Sequence, residues 1–380
     1  MVGTQRDRWF QWIAYALILV ASLTALLTFD EYGVTWDEEA NQIYGEYILR
    51  WYGALLTGSE VEEMNAIMKF YGGFFDVVPQ VATRLSPSTP FEIRHLVNAA
   101  FGLLAVWGVR RVATNIGGSL AGLIAVVFLL TTPTFYGHMF NNPKDVPFAA
   151  MFTLALGRLL DEYDGLGRRR LRSAALTGVL IGLAMAVRIA GIALLGLLAV
   201  LWMWRRSLSA APEEEPGARI PLRGLLVRAF IVVSTAWATM MLWWPLAFSS
   251  PLAGPVATLL LASHFPWPLD VFFDGRYYPA SDVPRSYTLM WFAITLPEHV
   301  LLGGVVAFVM AVALLCREPG GWRRSAAAPK LVVVGLPIVV PVLLAVALRP
   351  ILYDGVRHFM FVIPCLVVVG AVALARLFQE

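Results

Sequence analysis

TWDEEANQIYGEYILRWY, residues 35–52, follows directly on the first long apolar run of the chain. Read at ~100° per residue, Trp36, Ala40, Ile43, Tyr44, Tyr47, Ile48, Trp51 and Tyr52 fall on one half of a helix, the pattern of an amphipathic helix lying on a membrane surface. On the same wheel Glu38, Glu39 and Glu46 point away from that face, while Asp37 sits within it, roughly 40° from its centre. Thr35 and Glu38 have the spacing of a capping box, which gives Glu38 a structural role. It also puts Asp37 in the first helical turn, where the macrodipole favours a carboxylate. A carboxylate anchored on an interfacial face has the placement a general base requires.

The rest of the chain decides what that helix lies on. Of 380 residues 58% are hydrophobic and 14% charged, and mean hydropathy is +0.68. Those values exclude an ordinary soluble domain and predict an all-α polytopic membrane protein. Apolar runs predict about ten spans, near 10–28, 93–109, 118–136, 146–160, 173–187, 189–204, 225–247, 291–315, 331–348 and 358–376. Arg6 and Arg8 precede the first, which reads as an uncleaved signal anchor. Most of the 29 Lys and Arg, including the clusters at 110, 168, 205 and 323, then fall in cytoplasmic segments, with both termini inside. Most of the 26 acids fall outside. Residues 1–380 form one transmembrane unit with no separate soluble domain. Cys316 and Cys365 lie near opposite ends of adjacent spans, so no disulfide is expected.

Two large outer loops are predicted, 29–92 and 248–290, with short ones around NNPKD (141–145), Arg188 and 349–358. The first continues past Tyr52 into VEEMNAIMKFYGGFFDVVPQVATRL, a second surface helix. The second is rich in Pro and aromatics, as lids and binding surfaces often are. The cytoplasmic segment SLSAAPEEEPGARIPLRG reads as a solvated linker, and His264 as a loop residue. No acid stands mid-span, which an ion-coupled carrier usually needs. Instead Asp37, Arg94, Asn142, Lys144, Asp145, Arg188, Arg357 and His358 all fall at the outer level. Lys144, Arg188 and Arg357 run against the positive-inside tendency and offer an anion site at the height of a lipid phosphate. The plain alternatives are a helix-start acid at Asp37, a turn capping the fourth span at Asn142–Asp145, and snorkelling or anchoring for Arg188, Arg357 and His358.

Four stretches carry a resemblance: TWDEEANQIYGEYIL (35–49), IRHLVNAAFGLL (93–104), TPTFYGHMFNNPKDVPFAA (132–150) and LYDGVRHFMFVIP (352–364). Together with the span pattern they resemble the polyprenyl-phosphate-sugar-dependent glycosyltransferases of the GT-C superfamily, most of all the branch of protein O-mannosyltransferases and lipid A aminoarabinose transferases. The resemblance implies inverting transfer at the outer face of a plasma membrane from a polyprenyl-phosphate-linked sugar. It makes Asp37 the base, Glu38 the second acid of an Asp-Glu pair, and Asp145, with Asn142, an orienting group. Arg94, Lys144, Arg188, Arg357 and His358 would hold the donor's lipid phosphate. No cofactor is implied, although metal-using relatives leave open a divalent ion between Asp37 and Asp145. The acceptor, whether protein, lipid or glycan, is unspecified. The chain is short for the family, which allows a partner protein, and no nucleic acid is expected. A carrier or flippase for lipid-linked saccharides and a non-catalytic subunit of a cell-envelope glycan assembly are the other readings.

Overall fold

A computed structural model describes residues 5–61, 64, 67–166, 170–209, 221–263, 265, 267–317 and 325–378. Most of the linker (210–220), the arginines at 168–169 and 323–324, and His264 lie outside them. The described chain is helical, with one small hairpin. In order, the helices are α1 (Gln5–Thr28), α2 (Glu38–Thr57), α3 (Phe74–Thr83), α4 (Pro90–Leu130), α5 (Pro133–Asn141), α6 (Asp145–Asp164), α7 (Leu171–Met185) and α8 (Ala193–Ser209). They continue as α9 (Leu222–Leu242), α10 (Pro245–Ser249), α11 (Ala253–Ser263), α12 (Tyr287–Thr295), α13 (Glu298–Arg317), α14 (Ala328–Leu348) and α15 (Val362–Leu377). Strands β1 (Asp270–Phe273) and β2 (Arg276–Pro279) pair antiparallel between α11 and α12.

All ten predicted apolar runs fall on helices, and six helical stretches are individually long and apolar enough to cross a membrane. The longest, α4, holds two of the runs. Gly118 interrupts it at φ 82°, ψ −175°, a conformation that a residue without Cβ adopts freely. A Cβ on Gly122 would strike the Thr114 hydroxyl and reach within 3.1 Å of the Arg110 carbonyl, so the chain doubles back there. Residues 90–117 and 119–130 are two arms of a helical hairpin. The small residues of α7 work differently. Gly178 and Gly182, spaced as G-x-x-x-G, face Val232, Thr235 and Ala236 of α9, whose atoms occupy the space a Cβ would need. In a bilayer, where lipid tails are as apolar as leucine, such close backbone approach is what holds helices together.

Charged side chains collect at two ends of the bundle. Helix α6 has Asp145 at its start and Asp161, Glu162 and Asp164 at its finish, ~28 Å apart at 1.5 Å per residue, about the thickness of a hydrocarbon core. At the far end Glu162, wholly buried, is paired with Arg158 and Arg228, Arg111 meets Asp161, and Lys330 meets Asp164 at 2.7 Å. These are the residues that the charge pattern places in the cytoplasm. Among the described residues every ion pair joins groups predicted on the same side, and none crosses the apolar middle.

The elements between spans differ from the expectation in three ways. Among the described residues of the second predicted surface helix, the α-helix is confined to α3, entered through Gly72-Gly73. The Gly73 N–H donates to the Trp243 carbonyl at 3.0 Å and the Phe74 N–H to the Ala186 carbonyl at 3.1 Å, which stitches the first outer loop to the ends of α7 and α9. The second outer loop contains a hairpin, turning at Asp274-Gly275, both at positive φ, as a two-residue Asp-Gly turn requires. Helix α2 starts at Glu38 and presents Glu38, Asn41, Tyr44, Gly45 and Ile48 to the interior, while Trp36 and Ile43 are exposed. The apolar wheel thus placed Tyr44 and Ile48 correctly and turned Glu38 the wrong way. Burial in this helix follows a polar partner in α4 as well as hydrophobicity.

Candidate active site

Four loops meet above the bundle. Asp37 stands as the N-cap of α2, without a capping bond from its own side chain. Its Asn41 neighbour holds the turn instead, Nδ2 donating to the Asp37 carbonyl at 2.6 Å. The Thr35 N–H donates to the Glu38 carboxylate at 2.6 Å and the Thr35 hydroxyl to the Asn141 carbonyl at 3.0 Å. These bonds tie the turn before α2 to the NNPKD loop.

Asp145, the first residue of α6, is oriented by that loop. Its N–H donates to Asn142 Oδ1 at 2.9 Å, and Asn142 Nδ2 donates to Asp145 Oδ2 at 3.1 Å. Asn142 therefore accepts from the first N–H of α6 and also donates to the Asp145 carboxylate. Arg188, extended between α7 and the short turn Ile189–Ile192, reaches Asp145 Oδ1 at 2.5 Å. Arg357, on the turn before α15, closes the arrangement with each nitrogen on a different carboxylate. Nε donates to Asp145 Oδ2 at 3.0 Å, Nη1 to Asp354 Oδ2 at 3.1 Å and Nη2 to Asp37 Oδ2. Asp37 and Asp145, 108 positions apart in the chain, share one guanidinium.

The electrostatics follow from this geometry. Burial pushes the Asp145 carboxyl up, but Arg188 and Arg357 beside it outweigh burial and bring it down to about 2. Burial disfavours the Arg357 cation, and the Asp145 and Asp37 carboxylates more than restore it. His358 is pushed down to about 4, by burial and by Arg188 and Arg357 against the opposing pull of Asp145. It is neutral at pH 7, so the phosphate-binding role expected of it would have to be that of an uncharged hydrogen-bonding group. Asp354, Asp37 and Arg188 are the most open members, their side chains 41%, 28% and 23% exposed.

Arg94 and Lys144 sit elsewhere. Lys144 Nζ donates to Asp76 Oδ2 at 2.6 Å and Arg94 Nη1 lies 3.8 Å from Asp76 Oδ1, all three side chains being at most 6% exposed. Glu38 pairs in the same interior with His95, Oε1 to Nε2 at 3.0 Å. The expected cluster is thus two clusters, an open one around Arg357 and a closed one around Asp76. Asp76 and His95 were not singled out in the sequence. The signal was an acid inside the apolar FFDVVP segment and a histidine beside Arg94 at the start of a span. Burial lowers the affinity of Lys144 for its proton, and Asp76 acts against that.

On the Asp354 side of Arg357 opens a cavity of about 400 Å³. Its wall includes Trp36, His138, Trp267, Asp270, Tyr353 and Asp354. Tyr353 stacks on Trp267 at 3.7 Å between centroids, and Trp36 meets Trp267 edge-on at 5.3 Å. The hairpin loop is thereby docked over the first outer loop and the loop before α15.

Residues 78–238 match the family described as dolichyl-phosphate-mannose-protein mannosyltransferase. Among solved structures, the oligosaccharyltransferase of Archaeoglobus fulgidus tethered to an acceptor peptide superposes with a TM-score of 0.56 at 14% identity, over 98% of this chain and 50% of that one. The complex of that enzyme, AglB, with an inhibitory peptide and a dolichol-phosphate gives 0.56 at 14% identity, over 96% and 50%. The chain has the GT-C fold. No curated protein matches it in sequence, and it spans about half the length of the solved GT-C structures it superposes on. The GT-C arrangement accounts for the four quoted stretches: they supply the turn before α2, the start of α4, the α5–α6 loop and the turn before α15, and three of these four carry the open cluster.

Proposed function

We propose that this GT-C protein is a membrane glycosyltransferase that moves a sugar from a polyprenyl-phosphate donor to an acceptor hydroxyl at the outer face of the membrane. The carrying observation is the shared guanidinium of Arg357, which joins a partly open carboxylate, Asp37, to Asp145 and through it to Arg188, at the rim of an apolar bundle. The match to a family of dolichyl-phosphate-mannose-dependent enzymes and the dolichol-phosphate in one archaeal structure support a lipid phosphate as leaving group. In this reading Arg188 and Arg357 receive the donor phosphate and stabilise the charge that develops on it. The Asp37 carboxylate takes the acceptor's proton as its oxygen forms a bond to the anomeric carbon. The bond from that carbon to the phosphate oxygen breaks, and its electron pair leaves with the lipid phosphate. Attack opposite the leaving group inverts the anomeric centre. Asp145 holds the two arginines in place rather than touching the acceptor.

A divalent ion between Asp37 and Asp145 does not fit these residues. Arg357 bridges the two carboxylates, and among the described residues no group of three His, Cys, Asp or Glu side chains is placed to hold a metal. The test is turnover of radiolabelled polyprenyl-phosphate sugars by the purified protein in lipid, with wild type compared to Asp37→Asn. Acceptor-dependent release of lipid phosphate by wild type, lost by at least about a hundredfold in a variant that still binds donor, supports the reading. Donor that is bound and moved across vesicles without release would replace the transferase by a carrier.

A further inference from the structure

The cavity beside Asp354 has a composition that the donor phosphate does not explain. No Lys or Arg lines it, while two carboxylates, Asp270 and Asp354, do. A phosphate would meet only like charge there. The order of groups is Arg188, Asp145, Arg357, then Asp37 and Asp354, then the cavity. Arg188 and the cavity thus stand at opposite ends of this run of contacts, with Arg357 and the Asp37 it holds between them. An in-line transfer needs its nucleophile on the side away from the leaving group.

The polar lining also selects by hydrogen-bond type. The carboxylates accept only. The hydroxyls of Thr134 and Thr295, both at the wall, have given their protons to the carbonyls of Thr295 and Trp291 at 3.0 and 2.5 Å, so towards the cavity they offer lone pairs. Burial lowers the His138 imidazole below its ordinary range, and it is neutral at pH 7. Against these acceptors the wall sets the indole N–H of Trp291, which is buried without a partner; a sugar hydroxyl, both donor and acceptor, can meet either kind of group. The remaining wall is apolar and largely aromatic; Trp267 and Tyr353 stack on each other at 3.7 Å, so only an outward ring face of each can meet a ligand. Flat apolar surface ringed by carboxylates is what the C–H face and hydroxyl edge of a sugar ring require.

From this we infer that the cavity is the acceptor subsite and that it takes a saccharide ring, so that the protein extends a glycan or glycolipid rather than modifying a polypeptide. The inference rests on the transferase reading for its chemistry: a ring hydroxyl bonds through oxygen to the donor's anomeric carbon, its proton passes to Asp37, and the lipid phosphate departs. Binding of the ring does not depend on that chemistry.

Two measurements separate them. Tryptophan emission of the purified full chain, without donor, is titrated with methyl mannoside, methyl glucoside and methyl arabinoside singly. At least one is expected to change the emission saturably in wild type, with affinity reduced about tenfold in Asp270→Asn and the signal diminished in Trp267→Leu. Asp270 is at the surface, so its variant keeps the assay interpretable where the tryptophan variant fails to fold. Absence of a saturable change with all three glycosides overturns the subsite, even if donor is turned over. In the turnover assay, saccharide acceptors are expected to drive lipid-phosphate release, with both variants raising acceptor KM about tenfold and leaving donor KM near wild type. Release driven by a Ser/Thr peptide and not by saccharides, or a rise confined to donor KM, overturns the inference while leaving the transferase intact. Glycoside binding with no turnover leaves the subsite and removes the transferase.

Discussion

Lys144 offers the sharpest test of what the fold adds to the sequence. As an outer-face cation it reads as a ligand for donor phosphate; in the structure its ammonium is bonded to Asp76 at 2.6 Å, with side-chain exposures of 6% and 0%. Replacing it by methionine leaves the Asp76 carboxylate buried with only Arg94 nearby, at 3.8 Å. Breaking a buried pair from one side costs ~3–5 kcal/mol. The remaining Arg94 reduces that, so Lys144→Met is expected to lose about 3 kcal/mol. Asp76→Asn alone strands two buried cations, Lys144 and Arg94, so the double variant should be less destabilised than the sum of the two single variants by about 2 kcal/mol, the coupling a double-mutant cycle reads. The assay is reversible unfolding in mixed micelles, with donor KM measured on the same samples. A loss below about 1 kcal/mol, the range of exposed pairs, together with a donor KM raised tenfold or more, would refute the reasoning and return Lys144 to the phosphate.

Arg188→Gln should raise donor KM by about ten- to a hundredfold, since it removes a partly exposed cation from the proposed phosphate site; initial rates against donor concentration check it. The Asp145 carboxyl lies at about 2, below its ordinary value near 3.9. Its contribution to stability is therefore complete above about pH 4, worth about 2 kcal/mol, and lost as pH falls toward 2. The acid limb of the wild-type stability profile should flatten correspondingly in Asp145→Asn. Chelation by EDTA should leave turnover unchanged, because a guanidinium bridges the two acids that would otherwise hold an ion; loss of activity restored by a divalent cation would overturn this.

How much of this was legible in the sequence depended on the range of the forces involved. Hydropathy is a property of each run taken alone, so the ten runs and the two charged ends were readable without any tertiary information. The Asp37, Asp145, Arg188 and Arg357 grouping was readable because all four are polar groups at span ends on one predicted side. The partition between an open and a closed cluster was not. Lys144 and Asp145 are adjacent residues, and only the start of α6 between them sends one toward Asp76 and the other toward Arg357. The inward turn of Glu38 escaped for the same reason: a helical wheel weighs hydrophobicity, while His95 in another helix decides which acid is buried. The hairpin had its signal in Asp274-Gly275, overlooked because the surrounding loop is dominated by proline and aromatic residues.

The bond between Asp37 and Arg357 joins positions 320 residues apart. Synthesis runs from the N-terminus, and membrane segments are laid down in that order. Asp37, the base of the proposed reaction, is thus synthesised early and waits beside a growing bundle for a guanidinium that arrives only as the chain approaches α15. Any product released by the ribosome before that turn carries most of the helices, with Asp37, Asp145 and Arg188 but without the guanidinium that joins the two acids. Under the proposed function, a chain cut short there is expected to be inert, because it lacks that guanidinium.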